Sequence, residues 1–304
     1  MSTILVTGGT GLIGTALTRM LTEKGYRVLV MSRDTKSPYR WDPATGYIDP
    51  EAIRQADAII HLAGAGVADK RWSEKRKKLI IESRTQGCAL LVKALQEIPN
   101  NVRVVISSSA IGWYGPDPVI PNPQPFEETA PADTDFLGEA CQLWEGAITP
   151  VAGLGKRLVI IRTGIVLSPD GGALKEFMKP VRLGMAAILG SGRQAISWVH
   201  IDDLCRLFIH ALENAEWSGV YNGVGPNPVD NRTLTLTLAR QLKGRYFVPV
   251  YIPSFLLKIM LGEMSIEVLK STTVSAKKTR TAGFQFLYPS IGVALERLIK
   301  GRSS

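Results

Sequence analysis

Glycine recurs at every third position in a short stretch near the amino terminus. The stretch TGGTGLIG, residues 7–14, places Gly8, Gly11 and Gly14 in a Gly-x-x-Gly-x-x-Gly pattern. Gly8 permits a tight turn, Gly11 lets backbone N–H groups approach a pyrophosphate, and Gly14 lets a helix lie close to the preceding strand. Because the stretch follows a short apolar run and opens an amphipathic one, its context predicts a dinucleotide-binding loop.

The residues after the second apolar run indicate which dinucleotide this loop would hold. A site for NAD would place a carboxylate there to bind the ribose hydroxyls, whereas this chain has Ser32 and Arg33. The planar guanidinium of Arg33 suits a 2'-phosphate, so the sequence favours NADP(H). Asp34 follows directly and could bind the ribose instead, which leaves NAD as the alternative.

The third apolar run ends in small residues. Ala63 and Gly64 follow Leu62 there and leave room for the adenosine side of a cofactor to pass. A simple turn from strand to loop explains the same three residues equally well.

These motifs need parallel strands to position them. The first two thirds of the chain have the alternation of apolar and amphipathic stretches that parallel strands and helices produce. Amphipathic stretches such as residues 12–24 and 78–98 alternate with short apolar runs, which predicts parallel β-α-β units. Strands covered on both faces are continuously apolar, so we expect an α/β fold with a Rossmann-type, doubly wound parallel sheet. The predicted strands are residues 4–7, 27–31, 58–62, 102–107 and 158–163.

The pattern loosens after residue 163. Residues 197–200 predict a strand, Asp202 is placed to cap the following helix, and Pro253 is placed to begin another. Six prolines within residues 115–131 predict a long surface loop near the strand ends where ligands bind. We therefore expect an NADP-binding Rossmann domain and a substrate-side region with a small, mostly helical C-terminal cap. We expect the Rossmann domain at residues 1–165, with further sheet elements to about 245. We expect the substrate-side region at residues 166–304, with the distinct small domain at about 248–300.

Composition limits the class of protein. The chain has 304 residues and is 45% hydrophobic, enough for a large core, but no uncharged apolar run is long enough to span a membrane. No basic leader precedes the first strand, so we expect a cytoplasmic protein without a membrane partner. The three cysteines, Cys88, Cys141 and Cys205, are scattered and lack C-x-x-C spacing, so neither disulfides nor a metal site is expected.

A net charge of +9 could attract nucleic acid or a phosphorylated small molecule. The one basic cluster, KRWSEKRKK at residues 70–78, leads into apolar positions and is typical of the solvated start of a helix. An anion-binding role for this cluster is the alternative. Because Trp72 is the only aromatic residue among these basic residues, the sequence predicts a small-molecule substrate and no nucleic acid partner.

Four runs in chain order resemble the extended short-chain dehydrogenase/reductases, the group that contains the nucleotide-sugar epimerases. They are TGGTGLIG at 7–14, HLAG at 61–64, SSSAIGWYG at 107–115 and RTGIVL at 162–167. Further runs resemble an atypical branch, the NAD-dependent epimerase/dehydratase-like proteins, also labelled cell-division inhibitor-like. These are ADKRW at 68–72, ESR at 82–84, DGG at 170–172, GSGR at 190–193, WVHIDD at 198–203 and AGFQF at 282–286.

The resemblance implies an NADP(H)-dependent oxidoreductase whose small C-terminal domain closes over the nicotinamide. Arg84 is an added candidate that could reach a phosphate or shape the pocket, with surface placement as the alternative. Together with the loop argument, the resemblance assigns cofactor contacts to Gly8, Thr10, Gly11, Leu12, Ile13, Gly14, Ser32, Arg33, Leu62, Ala63, Gly64, Ser107, Arg162, Thr163 and Gly164.

The resemblance also implies a catalytic serine, and Ser109 matches it. In the ordinary family a tyrosine passes the proton, and a lysine four residues later lowers the tyrosine pKa. Alignment on Glu145 puts those two positions on Leu137 and Cys141, so both functional groups are missing.

Three side chains could substitute as the proton donor. Tyr114 stands five residues after Ser109 but could equally line or pack the pocket. Cys141 would need to be desolvated beside the cofactor, and isolated buried cysteines are mostly inert. His200 precedes two aspartates, where a histidine more often satisfies backbone groups. Glu139 and Glu145 are expected to be structural.

Two hypotheses remain. The first is an oxidoreductase acting on a small carbonyl, alcohol or sugar-nucleotide-like substrate, with Ser109 as the hydrogen-bonding anchor and hydride transfer carried by the nicotinamide. The second is a non-catalytic NADP(H)-sensing or scaffold protein. The intact run at 162–167, which would hold the nicotinamide end, favours the enzyme.

Overall fold

Short apolar and β-branched runs form the strands of the structure, a computed structural model that describes residues 2–301. The strands are β1 (Thr3–Thr7), β2 (Arg27–Ser32), β3 (Tyr39–Asp42), β4 (Tyr47–Ile48), β5 (Ala58–His61), β6 (Val104–Ala110), β7 (Arg157–Thr163), β8 (Ile165–Leu167), β9 (Met185–Leu189), β10 (Ala195–Ile196), β11 (Trp198–His200), β12 (Gly219–Gly223), β13 (Val229–Asp230) and β14 (Val248–Ile252).

Stretches with helical periodicity form the helices between these strands. They are α1 (Leu12–Glu23), α2 (Pro50–Gln55), α3 (Glu74–Glu97), α4 (Phe136–Ile148), α5 (Gly172–Arg182), α6 (Ile201–Glu213), α7 (Asn231–Lys243), α8 (Ser254–Leu261), α9 (Ser265–Leu269), α10 (Lys277–Thr281) and α11 (Ile291–Lys300). The basic cluster at 70–78 leads into α3, which begins at Glu74 after the N-cap Ser73.

One sheet of eight strands forms the centre of the fold, in the order β12-β7-β6-β5-β1-β2-β3-β4. Neighbouring strands from β12 to β3 are parallel, and only β4 runs antiparallel to its neighbour. The predicted Rossmann-type, doubly wound fold is therefore confirmed. Since the strands are parallel, their carboxyl ends meet at one edge, with Thr7 beside His61 and His61 beside Ser107.

Alternate residues of the central strands face two apolar layers. Ile4 and Val6 of β1 belong to the layer that includes α1 and α6, whereas Leu5 packs in the layer of α2, α3 and α4. Ile59 and Val105 extend this second layer across the sheet. Because helices cover both faces, the strands have no polar face and read as continuous apolar runs.

The carboxyl-terminal part adds pairs of short strands and small helices. β9 pairs with β14 in parallel, and helices α5 and α7 pack on β9. As predicted, residues 115–131 contain neither a helix nor a strand. The carboxylate of Asp117 in this loop accepts hydrogen bonds of 2.7 Å from the hydroxyls of Ser271 and Thr273, which fixes the loop to the C-terminal part.

Three features differ from the prediction. The hairpin of β3 and β4 and the short helix α2 were not expected, because each is too short to show a clear period. Asp202 does not cap α6; the N-cap is His200, whose Nδ1 accepts a hydrogen bond of 3.0 Å from the Asp202 amide. Within residues 2–301, no helix is both long and apolar enough to cross a membrane.

Candidate functional site

The glycine loop joins β1 to α1 with almost no space for side chains. Gly8 has a φ of 73°, and a Cβ there would lie 2.8 Å from the amide nitrogen of Ala63. A Cβ at Gly14 would collide with the carbonyl oxygen of Gly8. The first turn of α1 therefore lies directly against the loop, and its free backbone N–H groups are placed for an anion.

A cavity of about 620 Å³ opens beside this loop at the carboxyl edge of the sheet. The predicted cofactor residues that line it are Gly8, Thr10, Gly11, Ser32, Arg33, Leu62, Ala63 and Gly64. The structure thus brings the loop and the ends of the first three predicted strands together around one space, as a dinucleotide site requires.

The far wall of the cavity was missed by the sequence reasoning. Trp41 and Pro43 come from the short hairpin, and Leu79, Ser83 and Gln86 come from α3. The alternation in Tyr39–Asp42, whose only buried residue is Trp41, was the available signal for this hairpin.

Arg33 is exposed at the rim of the cavity and has no ion pair or hydrogen-bond partner among residues 2–301. The carboxylate of Asp34 instead accepts a hydrogen bond of 3.0 Å from the Lys36 amide. The Ser32 hydroxyl in turn accepts one of 3.1 Å from the Asp34 amide. Asp34 thus belongs to a local turn, whereas the Arg33 guanidinium has no partner and is available to a ligand.

Arg84 lies behind the wall of the cavity. Its Nη1 donates to the carbonyl oxygens of Ala65 at 3.0 Å and Ile80 at 2.9 Å, and its guanidinium lies over the ring of Trp144. These contacts disfavour the surface alternative. They support the interpretation that Arg84 shapes the pocket, since it holds the loop that begins at Gly64.

A buried charged pair lies beneath the end of β6. Arg162 donates from Nε to Glu145 Oε1 at 2.8 Å and from Nη2 to Glu145 Oε2 at 2.9 Å. Its Nη1 donates to the Tyr114 hydroxyl at 3.1 Å, and Trp113 covers its planar face. The guanidinium is engaged on all sides and is 2% exposed, so the structure does not support the prediction that Arg162 contacts the cofactor.

Ser109 belongs to the same cluster. Its hydroxyl donates a hydrogen bond of 2.6 Å to Glu145 Oε1. An ionised carboxylate only accepts, so the single proton of Ser109 is directed at Glu145 and the serine oxygen keeps only acceptor capacity. Glu145 was expected to be structural. In the structure its carboxylate also orients the hydroxyl of Ser109, the candidate catalytic serine.

The positions of the missing tyrosine and lysine face this same corner. Leu137 and Cys141 both contact Gly112, just after β6, and the Cys141 thiol donates to the carbonyl oxygen of Ala110 at 3.6 Å. Asp135 caps α4 through a hydrogen bond of 2.7 Å from the Gly138 amide. The helix thus presents these two positions toward the end of β6, and neither carries a hydroxyl or an ammonium.

Tyr114, one of the three candidate proton donors, is fully buried. Its hydroxyl donates to Oδ1 of Asn222 at 2.7 Å, and its ring stacks on Phe126. Burial raises the pKa of this phenol. A proton-donor role for Tyr114 is not supported by this placement, which matches the packing alternative.

The other two candidates are also poorly placed to donate a proton. Burial raises the pKa of the Cys141 thiol to about 12, so the thiol stays protonated and is a weak acid at neutral pH. Burial lowers the pKa of His200 to about 4, which leaves the imidazole neutral. His200 stacks on Tyr288 and caps α6, so it satisfies backbone groups rather than facing a substrate.

The remaining predicted cofactor residues do not line the cavity. Ser107 donates to the carbonyl oxygen of Ser108, and Thr163 lies 3.5 Å from the Ser108 hydroxyl on the opposite face of β6. Gly164 packs against the backbone of Ser197. Leu12 contacts the Gly171–Gly172 turn, while Ile13 packs on the apolar layer of α1.

His61 was not predicted as a site residue, yet it lies between the cavity and the serines. Its Nδ1 is hydrogen bonded to the Thr7 hydroxyl at 2.7 Å, and burial lowers its pKa to about 4. It is neutral at physiological pH and has no exposed surface. Residues 2–301 hold no cluster of three His, Cys, Asp or Glu side chains that could bind a metal ion.

The fold and this cavity together define a dinucleotide-binding α/β protein of the extended short-chain dehydrogenase/reductase type. Residues 4–223 match the NAD dependent epimerase/dehydratase family, and residues 252–298 match a domain of unknown function (DUF1731). The chain belongs to this epimerase family and carries the small C-terminal domain that the resemblance implied.

Relatives match along the whole chain. The human epimerase family protein SDR39U1 is 33% identical over 302 residues, which cover 97% of this chain and 99% of the relative. Its crystal structure with NADPH has a TM-score of 0.87 at 32% identity, and the match covers 98% of this chain and 99% of that chain. A nucleoside-diphosphate sugar epimerase from Corynebacterium glutamicum is also similar, with a TM-score of 0.79 and 31% identity over 98% of this chain and 58% of that chain.

Proposed function

We propose that this protein is an NADP(H)-dependent oxidoreductase of the extended short-chain dehydrogenase/reductase type. Its substrate is a small alcohol or carbonyl compound, or a molecule resembling a sugar nucleotide. The observation that carries the proposal is the unpartnered guanidinium of Arg33 at the rim of the cavity beside the glycine loop. The NADPH in the human relative and the sugar-nucleotide name of the Corynebacterium relative support the cofactor and the substrate class.

The residues present fit this cofactor. The glycine loop and the start of α1 offer backbone N–H groups to the pyrophosphate, and Arg33 offers a planar fork to a 2'-phosphate. Trp41 and Leu79 give the cavity an apolar wall for the adenine. Bound NADP(H) supplies or accepts a hydride at its nicotinamide, so the protein must orient the substrate and handle the proton.

Ser109 and Glu145 are the groups proposed to handle that proton. When an alcohol is oxidised, its carbon loses a hydride and its oxygen loses a proton. The Ser109 oxygen accepts the substrate proton while its own proton moves along the 2.6 Å hydrogen bond to Glu145. Arg162 fixes the orientation of the Glu145 carboxylate throughout. Carbonyl reduction uses the same two proton transfers in reverse.

Cofactor titration tests the proposal directly. We expect wild-type protein to bind NADPH more tightly than NADH, measured by quenching of intrinsic fluorescence. Arg33→Ala should weaken NADPH binding about ten- to a hundredfold, because it removes charge-assisted hydrogen bonds, and should leave NADH binding unchanged.

Arg103→Ala is the matched control, since Arg103 is exposed just before β6 at the opposite edge of the sheet. Equal affinities for the two cofactors in the wild type, or equal effects of the two substitutions, would overturn the assignment of Arg33.

A further inference from the structure

The small C-terminal domain exposes an apolar face on α8. At about 100° per residue, Phe255, Leu256, Ile259 and Met260 occupy about 140° of the helix circumference. All four are exposed, Phe255 and Ile259 at 65% and 66%, whereas Leu257 on the opposite side is buried. The outward half of this helix, termed here the α8 face, is therefore apolar and uncovered by any part of residues 2–301.

The strand pair of β9 and β14, in which β14 ends just before α8, also carries exposed apolar residues. Met185 of β9 pairs in register with Val248 of β14, and both side chains are exposed. Leu183 and Tyr246, which lie just before these strands, are 80% and 75% exposed. Exposed apolar and aromatic side chains concentrated in adjoining elements indicate a docking site rather than scattered exposure.

The segments that carry this surface are rich in basic residues, with Glu176, Asp230 and Glu263 just outside them. Residues 177–201 and 231–262 contain no aspartate or glutamate, but they carry eight lysines and arginines. Arg182, Arg245 and Lys258 are exposed, and none of them has a carboxylate partner among residues 2–301. These three unpaired cations, termed here the cationic rim, lie on or beside the elements that carry the exposed apolar residues.

We propose that the α8 face and its cationic rim bind the surface of an anionic lipid bilayer. The apolar and aromatic side chains enter the headgroup boundary while the lysines and arginines contact lipid phosphates, as in interfacial amphipathic helices. A second copy of this chain would fit poorly, because a symmetric contact would bring the same unpaired cations against each other. The sequence-based expectation of no membrane partner concerned spanning segments, which this mode of binding does not need.

Vesicle co-sedimentation of the full-length protein tests the proposal. We expect binding to vesicles of phosphatidylcholine with phosphatidylglycerol, weaker binding in high salt, and little binding to phosphatidylcholine alone. Phe255→Glu and Ile259→Glu should each lower the partition coefficient at least tenfold, because each places a carboxylate where an apolar side chain would enter the lipid. Arg245→Ala should lower it about fivefold, the effect of one basic residue near an anionic surface.

Val293→Glu is the matched control, because Val293 is a half-exposed apolar residue on α11, outside this surface. All variants should keep the melting temperature and NADPH affinity of the wild type, which separates this test from that of the proposed function. Failure to bind anionic vesicles, or equal binding to both kinds of vesicle, overturns the proposal. Sedimentation velocity distinguishes membrane binding from self-association. A wild-type dimer that Phe255→Glu dissociates would assign the surface to self-association and overturn the proposal.

Discussion

The hydroxyl of Ser109 donates its only proton to Oε1 of Glu145, 2.6 Å away, at a buried position outside the lining of the cavity. Because Glu145 is also held by two hydrogen bonds from Arg162, the carboxylate cannot turn away to release the serine. A ligand that contacts the Ser109 oxygen would therefore meet a hydrogen-bond acceptor, which suits a substrate hydroxyl better than a carbonyl oxygen.

Removal of the Ser109 hydroxyl should separate turnover from cofactor binding. Ser109→Ala should lower kcat for an alcohol substrate by about 10²- to 10⁴-fold and leave the Kd for NADPH unchanged, because only the proton route is lost. Steady-state kinetics and cofactor titration measure the two effects. Ser108→Ala is the control, since the neighbouring hydroxyl faces Thr163 on the other side of the strand. Comparable kcat losses in both variants would contradict this role.

Two glycine-to-alanine substitutions should have opposite effects on stability. Gly14→Ala should lower the free energy of unfolding by about 1–3 kcal/mol and weaken NADPH binding, because the new methyl group collides with the glycine loop. Gly146→Ala in α4 meets no atom within 4 Å and should stabilise the protein by about 0.5–1 kcal/mol. Urea denaturation measures both changes. A Gly14→Ala variant as stable as the wild type would show that the loop is not packed as described.

Acid should destabilise the protein partly through His200. Its pKa is about 4 in the folded protein and about 6.5 when unperturbed, so unfolding takes up a proton between these values. The free energy of unfolding therefore falls as the pH drops from about 6.5 to about 4, by up to about 1.4 kcal/mol per pH unit.

His200→Asn should reduce that slope while keeping a side chain that can cap α6. Urea denaturation at several pH values between 4 and 7 measures the slope for both proteins. Identical slopes would show that the pKa of His200 is the same in the folded and the unfolded protein.

The thiols should be unreactive in the native protein. Cys88, Cys141 and Cys205 are buried, and burial raises the pKa of each to about 12. We expect Ellman's reagent at pH 8 to modify none of them within minutes and all three in urea. Rapid modification of Cys141 in the native protein would restore it as a candidate proton donor.

The sequence predicted those parts of the site that depend on local patterns. The glycine loop, its flanking strand and helix, and Arg33 are contiguous or nearly so, and their periods and turn residues are visible directly. The hairpin with Trp41 was missed because four residues are too few to establish a strand period.

The pair of Glu145 and Arg162 could not be predicted from the pattern. Arg162 ends an apolar strand, where the family places cofactor contacts, and Glu145 lies 17 residues away on a helix. Their contact depends on how α4 sits on β6 and β7, which is decided by tertiary packing. Tyr114 and His200 were misleading for the same reason, since their chemistry suits proton transfer but packing directs their polar atoms inward.

The hydrogen bonds from Ser271 and Thr273 to Asp117 connect the proline-rich loop to the C-terminal part. A movement of the loop apart from the C-terminal part would leave the half-buried Asp117 carboxylate without these donors, so we expect the two segments to move together. The proline-rich loop is therefore not expected to act as an independent flap, because its position is coupled to a region far along the chain.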